Sequence, residues 1–135
     1  MIVIDASVAA AWIFADERDA YAVAASEEVA ARGGVVPAFW RWEMQNTLLF
    51  ALRRRRIDEE SLAQHLSDLQ GLPLEYDFSA AFGVELALAR EHALTVYDAA
   101  YLELAMRCNC RLATKDKKLR EAARASGVLF VGGGP

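Results

Sequence analysis

The chain has 135 residues, 55% of them hydrophobic and 25% charged, with a formal net charge of −4. That length suits one domain, residues 1–135, able to bury roughly 68% of the surface its unfolded form exposes. The composition excludes a disordered chain, no run reaches the ~18 uninterrupted apolar residues of a membrane span, and the acidic balance argues against a protein that coats nucleic acid, though not against an enzyme that cuts it.

Met1-Ile-Val-Ile-Asp5 opens the chain with buried β-branched residues and no basic stretch. It reads as a strand over 1–5, not as a secretory leader, and a cytoplasmic protein is expected. A short helix follows at 7–14, then a helix over 19–32 that Gly33-Gly34 stops. GVVP at 34–37 is a second strand. The next helix, 39–55, carries Trp42, Leu49 and Leu52 on one face and Glu43 and Asn46 on another. A helix over 58–69 opens with an acid and ends before Gly71, and 73–76 is a weak third strand. Ser79 is a good cap for a helix over 79–91. A helix from Thr95 or Tyr97 to Cys108 has Tyr101, Leu102 and Ala105 at helical spacing. RLAT at 111–114 is a fourth strand, 116–126 a last helix ending at Gly127, and VLFV at 128–131 a fifth strand before a flexible tail. Strands alternating with helices give a parallel sheet with right-handed crossovers, hence an α/β fold, a three-layer α/β/α sandwich.

In an open parallel sheet ligands bind beyond the carboxyl ends of the strands. Asp5 ends the first strand, Asp116 lies two residues past the fourth, Asp98 opens a helix, and Glu43 is one turn into the helix after the second strand. Each acid thus falls where the chain leaves or enters that rim. An Asp or Glu at a helix start is often only a cap that suits the dipole, but Asp5 ends a buried apolar run, where an unpaired acid is costly. Four carboxylates together repel each other unless a hard divalent cation joins them. Mg²⁺ or Mn²⁺ prefers such oxygens and can orient a phosphodiester and activate water. Ser7, Thr114 and Asn46 stand two or three residues from these acids and are expected to support them.

These residues resemble a known family. Met1-Ile-Val-Ile-Asp5-Ala-Ser7 looks like the opening of a PIN domain. Pro37-Ala-Phe-Trp-Arg-Trp-Glu43-Met-Gln-Asn46 is similar to its second motif, Val96-Tyr-Asp98-Ala-Ala-Tyr101 to its third, and Leu112-Ala-Thr114-Lys-Asp116-Lys-Lys-Leu119 to its fourth. The compact length is similar to the toxin half of VapBC-type (type II) toxin–antitoxin modules. The resemblance implies sheet order 3-2-1-4-5, cleavage of RNA with Mg²⁺ or Mn²⁺, transfer or ribosomal RNA as target, a homodimer, and inhibition by a cognate antitoxin protein. Asp5, Asp98 and Asp116 would be metal ligands, and Glu43 a ligand or the group that orients the attacking water.

Basic residues are clustered: Arg53 to Arg56 ends a helix, and Lys115, Lys117 and Lys118 flank Asp116. Arg53 and the three lysines are candidate RNA-phosphate contacts. Trp12, Trp40 and Trp42 are expected as core or interface anchors, with base stacking the lesser reading, and Trp12 with Phe14 as part of an apolar antitoxin groove. Cys108 and Cys110 have no Cys or His partners nearby, which excludes a zinc site; His65 and His92 carry no motif. Two other functions fit less well. An aspartate-nucleophile phosphatase usually wants a second acid where Ser7 stands; a binding module would be a receiver-like domain, which wants paired acids at the end of the first strand that are missing here, or a non-cleaving PIN scaffold.

Overall fold

The computed structural model describes residues 1–78 and 81–132. Its elements are β1 (Ile2–Ile4), α1 (Ala6–Ile13), a 3-10 turn (Ala15–Glu17), α2 (Ala20–Arg32), β2 (Gly34–Pro37), α3 (Trp40–Arg53), α4 (Glu59–Gln70), β3 (Leu74–Asp77), α5 (Val84–His92), α6 (Val96–Cys108), β4 (Arg111–Ala113) and α7 (Lys117–Ala125). The strands form a parallel sheet in the order β3-β2-β1-β4. β1 is central: Val3 stands between Val35 of β2 and Leu112 of β4. Every residue of β1 and β2 is buried. Side chains alternate between sheet faces, so both faces must be covered, as in α/β folds. α6 packs on β1, β2 and β4, and α2 on β1. Among the described residues no helix is long and apolar enough to cross a membrane.

Two expectations need correction. The fifth strand contracts to one bridge, Leu129 beside Leu112, held by Leu112 N–H to Val128 O (2.7 Å) and Phe130 N–H to Leu112 O (2.9 Å). β4 offers only three residues to pair with. Gly127 and Gly132, both at positive φ, then bend the chain on either side of the bridge. The order is therefore 3-2-1-4, with Leu129 at the place of the fifth strand. The buried stripe of α3 is Trp40, Met44, Leu48 and Ala51, at helical spacing, whereas Trp42 and Leu49 face solvent. Apolar residues lie on several faces of α3, so its pattern alone does not orient it. A proposed start at Ser79 lies outside the described residues; α5 begins at Val84, after Gly83 at φ 102°.

Close strand packing explains one glycine. A Cβ on Gly34 would stand 2.7 Å from Leu74 Cδ2 and 3.2 Å from Ile2 O. A side chain there would push apart the strands that set the rim.

Candidate active site

Asp5 is the first residue beyond β1, and pairing of β1 with β4 brings it beside Thr114. The backbone continues that pairing, with Asp5 N–H donating to Ala113 O at 3.2 Å. The Asp5 carboxylate is 4% exposed. One oxygen accepts from the Ser7 hydroxyl (2.6 Å) and Val8 N–H (3.1 Å), the second from the Thr114 hydroxyl. Those two hydroxyls also clamp the adjoining loop. Ser7 Oγ accepts from Lys115 N–H (2.9 Å) and Thr114 Oγ1 from Asp116 N–H (3.1 Å). Burial pushes the Asp5 carboxyl up to about 6, the three hydrogen bonds pull against it, and the charge of Asp98 adds to the rise.

Glu43 lies in the first turn of α3 and accepts from the hydroxyl of Tyr101 in α6. Burial raises its carboxyl above the ordinary range, Tyr101 opposes this, and the charges of Asp5 and Asp98 raise it further. Asp98 lies in the first turn of α6, its N–H bonded to the capping Thr95 hydroxyl at 3.1 Å. Burial and the charge of Asp116 raise its carboxyl. Asp116 caps α7, accepting from Leu119 N–H at 2.9 Å. Asp5 is thus linked to Glu43 and Asp98, and Asp98 to Asp116, by mutual repulsion. The four acids share one field.

Ser7 and Thr114 stand where sequence spacing puts them, as donors to Asp5. Asn46 faces solvent one turn beyond Glu43, and the group that holds Glu43 is Tyr101. The signal for Tyr101 was its place three residues after Asp98, on the same helix face; burial and neighbouring Glu43 keep its hydroxyl protonated. The Lys115 ammonium donates to Glu17 O (2.6 Å) and lies 3.2 Å from Asp19, so it ties the loop to α2. Lys117 and Lys118 are exposed at the start of α7. Arg53 sits ten residues beyond Glu43 on α3, roughly 15 Å along the axis. Phe14 is 6% exposed under the Arg56 guanidinium, 3.9 Å from its ring centre, so it does not line an open groove. Trp12 does line a cavity of about 200 Å³, with Ile13, His65 and Leu72. A further ion cluster went unread in the sequence: Arg107 joins Asp77 at the end of β3 (2.7 Å) to buried Glu103 in α6 (2.8 Å). Both cysteines are free thiols.

Among the described residues, no group of three or more acid, histidine or cysteine side chains converges closely enough, as the side chains stand, to hold one ion. The donor chemistry nevertheless fits a hard divalent cation. The set is all carboxylate oxygen, and its mutual repulsion is what such an ion relieves.

A family model described as PIN domain matches residues 2–125. The chain also resembles PAE2754 from Pyrobaculum aerophilum, with a TM-score of 0.71 and 21% identity over 90% of this chain and 83% of that one. At that identity the likeness concerns the fold. No curated protein matches the chain.

Proposed function

The chain belongs to the PIN domain family, a family of nucleases, and from that premise we propose that it is an endoribonuclease dependent on Mg²⁺ or Mn²⁺, acting as the toxin of a VapBC-type pair. The observation that carries the reading is the shared field of Asp5, Glu43, Asp98 and Asp116 at the carboxyl rim of the sheet. Asp5, Asp98 and Asp116 would hold the ion, directly or through water. A divalent ion there supplies positive charge against the phosphodiester and makes bound water more acidic.

The protein's own groups do the rest. Ser7, Val8 and Thr114 fix both Asp5 oxygens, so the carboxylate is oriented before any ligand arrives. Tyr101 fixes Glu43, which would orient the attacking water or serve as a further ligand. Lys117 and Lys118 are free to meet flanking phosphates. The same arrangement disfavours an aspartate nucleophile, since both Asp5 oxygens already accept hydrogen bonds and the group is buried.

The test is cleavage of RNA with added Mg²⁺ or Mn²⁺, comparing the wild type with Asp5→Asn. Full activity in the variant would sink the mechanism, and failure to bind Mn²⁺ by calorimetry would favour a non-cleaving scaffold. Transfer or ribosomal RNA as target, a homodimer and a cognate antitoxin belong to the same proposal. Growth arrest on induced expression, relieved by a short gene adjacent to this one, tests the toxin role. Mapping of RNA ends in the arrested cells names the target.

A further inference from the structure

Two of the four acids are each preceded by a solvent-facing aromatic residue: Trp42-Glu43 in α3 and Tyr97-Asp98 in α6. Trp42 is 63% and Tyr97 64% exposed, whereas Trp40, two residues before Trp42, is 2% exposed. Tyr97 joins the acid site through packed rings, and Trp42 lines one cavity together with Glu43. The Phe39 ring makes edge contacts with Tyr97 (5.4 Å) and Tyr101 (5.5 Å), and Tyr101 in turn holds Glu43. Trp42 lies one turn past Phe39 on α3, its backbone N–H donating to Phe39 O at 3.0 Å.

Rings of this size gain most by leaving water, so two of them left open beside one site point to something that covers them. The site itself narrows the choice of occupant. A polyanion approaching it meets four carboxylates, on a chain of net charge −4; of the lysines beside Asp116, Lys115 is committed to Glu17 and Asp19, which leaves exposed Lys117 and Lys118 to its phosphates. Two cations against four carboxylates make charge alone a weak hold. Stacking on base faces does not depend on charge and is tolerant of sequence. A duplex hides those faces, and only unpaired nucleotides offer them.

Building on the nuclease reading above, we infer that Trp42 and Tyr97 are base-stacking residues, which hold unpaired nucleobases of single-stranded RNA next to the phosphodiester presented to the acids. They are binding and specificity residues and touch no reacting atom.

The probe is a short fluorescein-labelled single-stranded RNA of mixed sequence, set beside its duplex and beside an abasic strand of equal charge. Binding is read with Asp5→Asn protein in Mg²⁺, which leaves the probe uncut. Trp42→Ala and Tyr97→Ala should each weaken binding of the single strand about tenfold. Trp42→Phe should keep most of the affinity. Bases bound to the parent protein should quench the emission of Trp42, a signal lost in Trp42→Phe. The abasic strand and the duplex should bind weakly to every variant. Trp42 faces solvent, so its alanine variant should keep its melting temperature, whereas Tyr97→Ala gives up the edge contact with Phe39 and should lower it by a few degrees.

The inference is overturned if the abasic strand binds as well as the normal one, or if the alanine variants bind RNA unchanged. It is also overturned if those variants alter only the assembly state, which would make the rings a protein–protein contact. Cleavage by otherwise wild-type protein separates the two proposals. Binding that depends on the rings without any cleavage refutes the nuclease and supports stacking. Cleavage whose KM is unmoved by Trp42→Ala and Tyr97→Ala refutes stacking and supports the nuclease.

Discussion

Asp5→Asn should make the metal-free protein more stable at neutral and alkaline pH. The Asp5 carboxyl is raised from 3.8 to about 6 by burial. A raised acid contributes stability that is complete below its unfolded value and is lost as pH climbs through its folded value. Between pH 4 and pH 7 the wild type therefore loses about 3 kcal/mol at this one residue, two units at about 1.4 kcal/mol each. Asparagine has no charge to bury. Its oxygen can keep the bonds from Ser7 and Val8, and its amide can donate to Thr114 Oγ1. The Thr114 hydroxyl proton then loses its acceptor in a fully buried place, which costs about 1 kcal/mol. The net gain at pH 8 is about 2 kcal/mol, or roughly 6–8 °C in melting temperature for a domain of this size. At pH 4 the gain should vanish. The assay is thermal unfolding of both proteins in a chelator at pH 4, 6 and 8. Distant carboxyls titrate alike in both, and Glu43, which the Asp5 charge raises, is relieved in the variant and adds to the difference in the same direction. Adding Mn²⁺ at about a hundred times its dissociation constant should return about 2.7 kcal/mol to the wild type and much less to the variant. A variant less stable than the wild type at pH 8 in chelator, or a difference flat with pH, would refute the reasoning.

Tyr101→Phe keeps the ring that packs on Phe39 and removes the hydrogen bond that lowers the Glu43 carboxyl. Cleavage should fall about 10- to 100-fold, and the acidic limb of its pH profile should move to higher pH, because Glu43 then protonates more readily; an unshifted limb would remove Glu43 from the chemistry. Gly34→Ala should destabilise by about 1–3 kcal/mol in urea unfolding, since its Cβ meets Leu74 Cδ2 at 2.7 Å. Adding Leu74→Ala should relieve part of that strain, and a double variant no better than the sum of its parts would show that the contact with Ile2 O dominates.

What could be read from the sequence was local. A run of β-branched residues ending in an acid specified both β1 and Asp5, because few arrangements tolerate an acid there. Helix caps were equally plain: Asp19, Asp58 and Asp116 each accept from the N–H three residues on, at 2.8, 2.8 and 2.9 Å. What could not be read depends on partners distant in sequence. The last strand failed because its length is set by β4, not by its own β propensity. Tyr101 meets Glu43 across 58 residues, and Lys115 meets Glu17 across 98; no spacing rule links either pair. Trp40 and Trp42 have the same chemistry and opposite fates. Two residues on a helix turn about 200°, so one ring enters the core as the other leaves it.

The helix starts also resolve a choice that the sequence posed too sharply. An acid at a helix start is a cap or a ligand, and Glu43, Asp98 and Asp116, though not Asp5, each have a plausible structural reading when taken alone. Asp5 caps α1 and Asp116 caps α7, while Glu43 and Asp98 lie in the first turns of α3 and α6. All four helices begin at the same rim, so their positive dipole ends favour negative charge there. Each contributes about 0.3–1 kcal/mol at exposed sites, and Asp5, Glu43 and Asp98 are still raised by burial and repulsion. The helix starts therefore keep the acids in place without removing the repulsion between them. That residual repulsion is the reason to look for a cation here, and the helix starts are how the fold holds the acids together until one binds.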